Sequence, residues 1–361
     1  MKFDILSEYC FVNMGQSPAS ETYNNNADGL PFYQGNADFG EIHPQTRIWC
    51  SAPVKIANKG DLLISVRAPI GALNIATEQC CIGRGLAVLT PKLDKCRIKY
   101  IYFAIQSQIN FLIANGTGST FKAVNKNTLE NLLIPVSSLN KQDEIVNIFE
   151  KLNNIINKRK EQLLLLDNAV KSRFIEMFGD PVKNEKNLPL EQLSKIGILE
   201  RGKSQHRPRN APELLGGPYP LIQTGDVSNS NIYITTYSNT YSELGLKQSK
   251  LWEPGTLCIT IAANIAQTAI LTFKACFPDS VVGFIPNNNT NIIFIHYWFE
   301  FFQKVLEEQA PQVAQKNINL KILSELKVIL PSIELQNEFA DFVKQTDKSK
   351  FGIQKSLNYL L

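Results

Sequence analysis

SRFIEMFGDPVKNEKNLPLEQL, residues 172–193, decides how the chain is read. An apolar-striped segment runs into Phe178-Gly179-Asp180-Pro181, and a polar stretch then leads into new strand-like sequence. Glycine takes the left-handed turn that ends a helix, and proline cannot continue one, so this pair is a strong stop signal. A chain that ends a long helix near its midpoint and begins again invites a search for a repeat.

The repeat is there. MKFDILSEYCFVNMGQS (1–17) lies over LPLEQLSKIGILERGKS (188–204) without a gap, sharing Leu-Ser and Gly-x-Ser. GDLLISV (60–66) lies over GTLCITI (255–261). VNKNTLENLLIPVSSLNKQDEIVNIF (124–149) lies over INLKILSELKVILPSIELQNEFADFV (318–343), with two residues fewer after Pro331 than after Pro135. The order is constant and the offset stays near 187–196. Each half therefore reads as a globular domain followed by a helix: a first domain over 1–140, a helix over 141–179, a linker over 180–187, a second domain over 188–331 and a second helix over 332–361. Runs such as DLLISV and GLAVLT, separated by Gly, Pro and Asn turns, predict strands. IKYIYFAIQSQINFLIAN (98–115) predicts one helix in the first domain, and HYWFEFFQKVLEEQ (296–309) its counterpart. The fold class is α/β (α+β), with two pseudo-symmetric domains of mixed sheet and helix joined by two long helices.

The helix after the first domain has the clearest pattern. Asn140 is placed to cap it, with Asp143 and Glu144 in the first turn, where the helix dipole favours acids. Apolar residues recur at Ile145, Phe149, Leu152, Ile156, Leu163, Leu166, Val170, Phe174 and Met177, at the alternating spacing of a coiled-coil seam, with Arg159 interrupting it. About 38 residues at 1.5 Å rise make a rod of roughly 55 Å. The second copy, from Leu335, carries Phe339, Val343, Ile353, Leu357 and Leu360 on the matching face and stops about ten residues short of its twin. A striped helix cannot bury its seam alone, and chain direction allows the two to pair antiparallel. The alternative lays each helix on its own domain. A 140-residue domain is only about 35–40 Å across, too short to cover the first helix.

Composition sets the bounds. With 361 residues and 44% hydrophobic content the chain can build two or three cores. No apolar run reaches the ~18 residues of a membrane span, and MKFDILSEYCF lacks the pattern of a signal peptide. A cytoplasmic protein is expected. Seven cysteines include no CxxC pair, and Cys80-Cys81 are adjacent, so free thiols are expected. His43, His206 and His296 are too scattered in sequence to suggest a metal centre. A net charge of +4 permits a nucleic-acid partner without requiring one.

GDLLISVRAPIGALNIA, CCIGRGLAVLTP, NGTGSTFKAVNKNTLENLLIPV, the Pro-x(6)-Gln-x-Glu-Ile helix start at 135–145 and the helix end MFGDP together resemble the specificity (S) subunit of type I restriction–modification systems. The likeness covers nearly the whole chain and rests on the order of the motifs, repeated around a long helix. It implies two target recognition domains, each reading half of a bipartite double-stranded DNA site. It further implies helices that set the distance between half-sites and dock two methyltransferase subunits, with restriction subunits joining through the complex. No catalytic residue and no cofactor would belong to this chain. The second half has IAANIA (261–266) and PDSVV (278–282) where the first has VRAPIG and IGRG. A fused restriction–methylation enzyme served by an S-like subunit is the alternative binding role.

Reading DNA needs cations for phosphates and forked side chains for base edges. RGKSQHRPR (201–209) gathers Arg201, Lys203, Gln205, Arg207 and Arg209 in one non-helical segment. Arg67 and Arg84 stand beside turns. Thr117, Ser119 and Lys122 belong to a Gly- and Thr-rich loop, Lys126 follows it, and Gln315, Lys316 and Asn317 take the same place in the second half. Gln34 and Asn36, matched by Gln223 and Thr224, follow short apolar runs. Solvated loops and turn-filling amides are the plain alternatives. GILERGKS (197–204) also fits the GxxxxGK[ST] phosphate-loop pattern and raises an ATPase reading. However, Pro208 and Pro212 follow where a helix must open, and the first-half counterpart lacks both the first glycine and the lysine.

Overall fold

The computed structural model describes residues 2–116, 122–206, 208–209, 211–262, 265–309 and 318–360. The chain forms two compact units, 1–155 and 156–361.

In the first unit, Lys2–Ile5 pairs antiparallel with Leu133–Val136, closing the domain's start onto its end. A four-stranded sheet runs in the order Cys10–Met14, Leu86–Pro91, Leu62–Ser65, Leu73–Ile75. The strand Leu62–Ser65 is buried throughout. Leu62 and Ile64 enter one core, with Ile101, Ile105 and Leu129, while Leu63 enters another, with Tyr33, Ile82 and Val88. Alternate side chains of a strand point to opposite faces, so a continuous apolar run is what two covered faces require. A second, mixed sheet includes Leu30–Tyr33 parallel to Cys80–Ile82.

The second unit repeats this plan. Leu190–Gln192 pairs with Lys327–Ile329. Its main sheet runs Gly197–Arg201, Val281–Pro286, Leu257–Thr260, Thr268–Leu271, Tyr233–Ile234. Leu257 and Ile259 face one core and Cys258 the other. Asn125 caps the short helix Lys126–Glu130, and Asn319 caps Leu320–Glu325 in the same way. The turn after the central strand is also rebuilt: Gly71 N–H donates to Ser65 O, and Ala266 N–H to Thr260 O. Gly71 has φ +92°, and Ala266 takes the same left-handed region at φ +58°, where a Cβ is costly.

Four expectations change. The first long helix spans Leu139–Phe178, 40 residues, so Asn140 lies inside it, and Ser138 O accepts the Gln142 N–H at its start. The second spans Ile333–Leu360, 28 residues, with Ser332 at its N-terminus. Residues 98–115 form two helices, Ile98–Gln106 and Ile109–Ala114. The Ser107 hydroxyl bonds back to Ala104 O at the break, competing with the helical ladder. Matching the two halves by their prolines also fails. Hydrogen bonds place Leu132 and Leu326 alike, and Gln142 and Gln336 alike, so the block runs ungapped and only the proline moves.

The helix stop is as expected. Gly179 has φ +74° and its N–H donates to Ile175 O. Asp180 Oδ1 then accepts from Val182 N–H, and Lys186 Nζ reaches Met177 O, satisfying carbonyls at the helix end.

Candidate nucleic-acid interface

In the first unit, distant candidates lie on adjoining segments. Gly83 N–H donates to Tyr33 O, laying the turn 83–85 over Gln34. A Cβ on Gly85 would stand 2.2 Å from Gln34 O, so only glycine allows this approach. Val66 N–H donates to Gly85 O, which brings Arg67 beside the same turn, and Arg67 bridges Ala123 next to Lys122. Ser17 Oγ accepts the Arg84 N–H at 3.3 Å. Gln34, Asn36, Arg67, Arg84 and Lys122 are thus carried by segments in contact or next to one another. Arg67, Arg84 and Lys122 are exposed, and among the described residues none of the three makes an ion pair. Lys126 differs: it pairs with Glu130 at 3.4 Å on its own helix. Thr117 and Ser119 lie outside the described residues.

Asp38 was missed by the sequence reading. It is 5% exposed, accepts from Gln34 N–H at 2.7 Å and holds Arg47 Nε at 3.1 Å. Asp226 does the same for Gln223 N–H at 2.8 Å. The available signal was an acid three or four residues after each glutamine.

The second unit builds its edge from the matching segments but treats its cations differently. Arg209 pairs with Asp279 at 2.6 Å, and Arg201 Nε donates to the Asp279 backbone carbonyl. Lys203 lies 4.0 Å from Glu200, which also holds Lys250. The Gln248 side chain accepts from the N–H groups of Gln205 and His206. Arg201, Lys203, Gln205, His206 and Arg209 are therefore tied down by internal acids, a backbone carbonyl and an amide. Gln223 is exposed and Thr224 half-buried, at the start of the helix Thr224–Ser228. Arg207, Gln315, Lys316 and Asn317 lie outside the described residues. GILER is a strand paired with Val281–Pro286. A Cβ on Gly197 would meet Phe284 at 2.4 Å, and one on Gly202 would meet Pro278 O at 2.3 Å. These glycines serve close strand packing, which removes the basis for a phosphate loop there.

The long helices divide their seam. Ile145 packs on the first core, and Phe149 stacks on Phe103 with centroids 4.8 Å apart. Leu152, Ile156, Arg159, Leu163 and Leu166 are half-buried at steps of three and four, so Arg159 stays on the stripe. Val170 is fully buried in the second unit with Phe174, Phe178, Phe339 and Val343. Phe174 meets Phe339 at 5.4 Å, Arg173 pairs with Glu338 at 2.8 Å and Asp167 with Lys350 at 2.5 Å. Numbers fall along one helix as they rise along the other, so this part of the pair is antiparallel. Leu357 is buried, with Ile353 and Leu360 half-buried. Ile148, Ile155, Leu164, Leu165, Phe351 and Tyr359 remain exposed on the long helices.

The second unit also contains a polar cavity of about 750 Å³ lined by Asp167, Lys171, His296, Glu300, Asp347 and Lys350 among others. Burial pushes His296 down to about 4, with Lys171 adding to the effect, and pushes Glu300 and Asp347 up. All seven cysteines are buried free thiols, and burial raises Cys80 to about 12, so it is no nucleophile at neutral pH.

A duplicated α/β domain, each copy leading into a long helix, defines the class of molecule. The model of the type I restriction modification DNA specificity domain matches residues 5–165 and 186–360, and the chain belongs to that family. A Methanocaldococcus jannaschii protein assigned to the MjaX type I restriction enzyme as its specificity subunit is 40% identical over 159 residues, 43% of this chain and 37% of that protein. The chain thus spans little more than a third of that relative. The EcoBI specificity subunit of Escherichia coli is 23% identical over 97% of this chain and 80% of its own length. The crystal structure of the type I restriction–modification S subunit from M. genitalium shares the fold at a TM-score of 0.60, with 16% identity, covering 99% of this chain and 92% of that one.

Proposed function

We propose that this chain is the sequence-reading, non-catalytic subunit of a type I restriction–modification complex in the cytoplasm. Its first domain reads one half of a split DNA site through the segments bearing Gln34, Asn36, Arg67, Arg84 and Lys122. Its second reads the other half through 201–209, Gln223 and Thr224, with 315–317 in the place that matches the first domain's Gly-rich loop. The long helices hold the two readers and carry two methyltransferase subunits on faces that include Ile148, Ile155, Phe351 and Tyr359. Exposed apolar residues along a helix suit a protein partner. The methyl donor, ATP and nuclease chemistry belong to those methyltransferase and restriction subunits.

One observation carries the reading. The same reader edge is built twice from the same hydrogen bonds, while its exposed chemistry differs between copies. In the first copy Val66 N–H meets Gly85 O and Val124 N–H meets Val66 O; in the second Ile261 N–H meets Ser280 O and Ile318 N–H meets Ile261 O. A shared frame with variable side chains is what two readers of different bases need. Methylome sequencing of cells with and without the chain tests it. The expected result is one bipartite methylated motif that vanishes with the chain. An unchanged methylome in cells that express the partner methyltransferase overturns it.

A further inference from the structure

Both long helices are fastened to their domains by a buried glutamine, and the two fastenings match bond for bond. Gln142 lies in the first turn of the first long helix and is 0% exposed. Its Oε1 accepts the Arg97 N–H at 2.8 Å, and its Nε2 donates to Lys95 O at 3.0 Å and to Ser137 O at 2.9 Å. Gln336, also 0% exposed, holds the same place in the second. Its Oε1 accepts the Asn291 N–H at 2.8 Å, and its Nε2 donates to Asn289 O at 3.2 Å and to Pro331 O at 2.8 Å. Arg97 and Asn291 are the residues just before the helices Ile98–Gln106 and Ile292–Gln309. Each glutamine therefore joins three backbone segments. These are the start of the domain's own helix, the turn leading to it, and the strand-to-helix connection that launches the long helix.

Three bonds from one rigid amide fix both the position and the rotation of one helix start against another. A primary amide is the side chain that fits, because it offers one acceptor and two donors in a plane. A carboxylate would present its oxygens to two carbonyls, and an apolar side chain would leave an N–H and two carbonyls buried without those partners. Ion pairs flank the clasp on one side: Arg97 Nε meets Asp143 Oδ1 at 3.0 Å, and Lys99 meets Glu150. In the second unit Asn291 Nδ2 donates to Asn337 Oδ1 instead. The flanking contacts differ between the copies while the amide clasp does not.

We infer that Gln142 and Gln336 are positioning residues that set the angle of each DNA-reading domain on its long helix, and thereby the separation at which both half-sites can be read together. This rests on the two-reader function proposed above. Loosening one clasp should leave each reader's base preference intact and widen the tolerated gap between half-sites.

The test uses the chain assembled with its methyltransferase subunits and duplexes whose spacer is varied by single base pairs. The wild-type complex and the Gln142→Met and Gln336→Met variants are compared for methylation rate at each spacer. The expected result is that the ratio between the best spacer and its neighbours falls tenfold or more in the variants, with both half-site sequences unchanged. Gln142→Asn, which keeps the amide but shortens its reach, gives an intermediate loss and serves if the methionine variants fail to fold. Folded variants that keep the wild-type spacer ratio overturn the inference, whatever their melting temperature. A wild-type complex with no bipartite preference would instead overturn the underlying function.

Discussion

The two domains share a skeleton and part company over charge. In the first, Arg67, Arg84 and Lys122 are exposed cations on adjoining segments, without an acidic partner among the described residues. In the second, Asp279 engages Arg201 and Arg209, and Glu200 sits by Lys203 and Lys250. An exposed, unpaired cation meets a phosphate at little cost. A paired one must first give up its acid. Equal numbers of basic residues in a loop therefore do not mean equal contributions to binding. The difference teaches that a repeat can keep backbone geometry while its electrostatics drift, because hydrogen-bonded turns tolerate many side chains on their outer surface.

The largest expected effect comes from exchanging a whole reader. Replacing residues 1–140 with another recognition domain of the family should change one half of the methylated motif completely and leave the other half as it was. If both halves change together, the domains are not independent readers.

Charge reversal should then separate the copies. Arg67→Glu with Arg84→Glu should weaken DNA binding by the complex and lower the slope of log affinity against log salt by about two units, near one per lost phosphate contact. Arg209→Glu should do much less, because Asp279 already engages that guanidinium. Asp279→Asn should raise affinity at low salt. Equal losses from the first pair and from Arg209, measured across several salt concentrations, would erase the contrast.

The smallest effect concerns pH. His296 is 4% exposed and bonds Thr268 Oγ1, whereas Tyr102 stands at the matching place in the first domain. Burial holds His296 near 4, against an ordinary value of 6.5. The unfolded chain therefore binds a proton that the folded one refuses, and stability falls as pH drops from about 6.5 to about 4. That loss is bounded at about 3 kcal/mol. Glu300 and Asp347 act oppositely, since burial raises them and acid relieves the cost of their charge. Thermal unfolding at pH 7 and pH 4.5 should show the second unit losing more stability than the first, with His296→Gln flattening the difference. Identical pH profiles for wild type and variant would remove His296 as its source.

Much of this architecture was legible in the residues. Gly179 before Pro181 marked the helix end, because backbone conformation and a missing N–H are local properties. The apolar run within DLLISV marked a strand, while the cover on both its faces came from the structure. The ungapped match of Gln142 to Gln336 was also visible, but its meaning was not, since a glutamine in a first helical turn usually faces water. Here a carbonyl and an N–H from elsewhere in each domain, with one carbonyl from just before the helix, enclose it. The prolines misled for a related reason: proline satisfies a local φ restraint and moves freely along a connection, whereas strand pairing and the amide clasp hold the register.

By itself, then, the sequence determined the duplication, the domain-then-helix order of each half and the stop between the halves, all of which rest on backbone preference and hydrophobic spacing within short windows. Only the tertiary structure decided that Gln34 lies under the 83–85 turn, that Asp279 takes up two arginines, and that Val170, Phe174 and Phe178 finish the second core. Those facts depend on which distant segments meet, and contact between distant segments is set by the packing of the whole domain, not by any window of the chain.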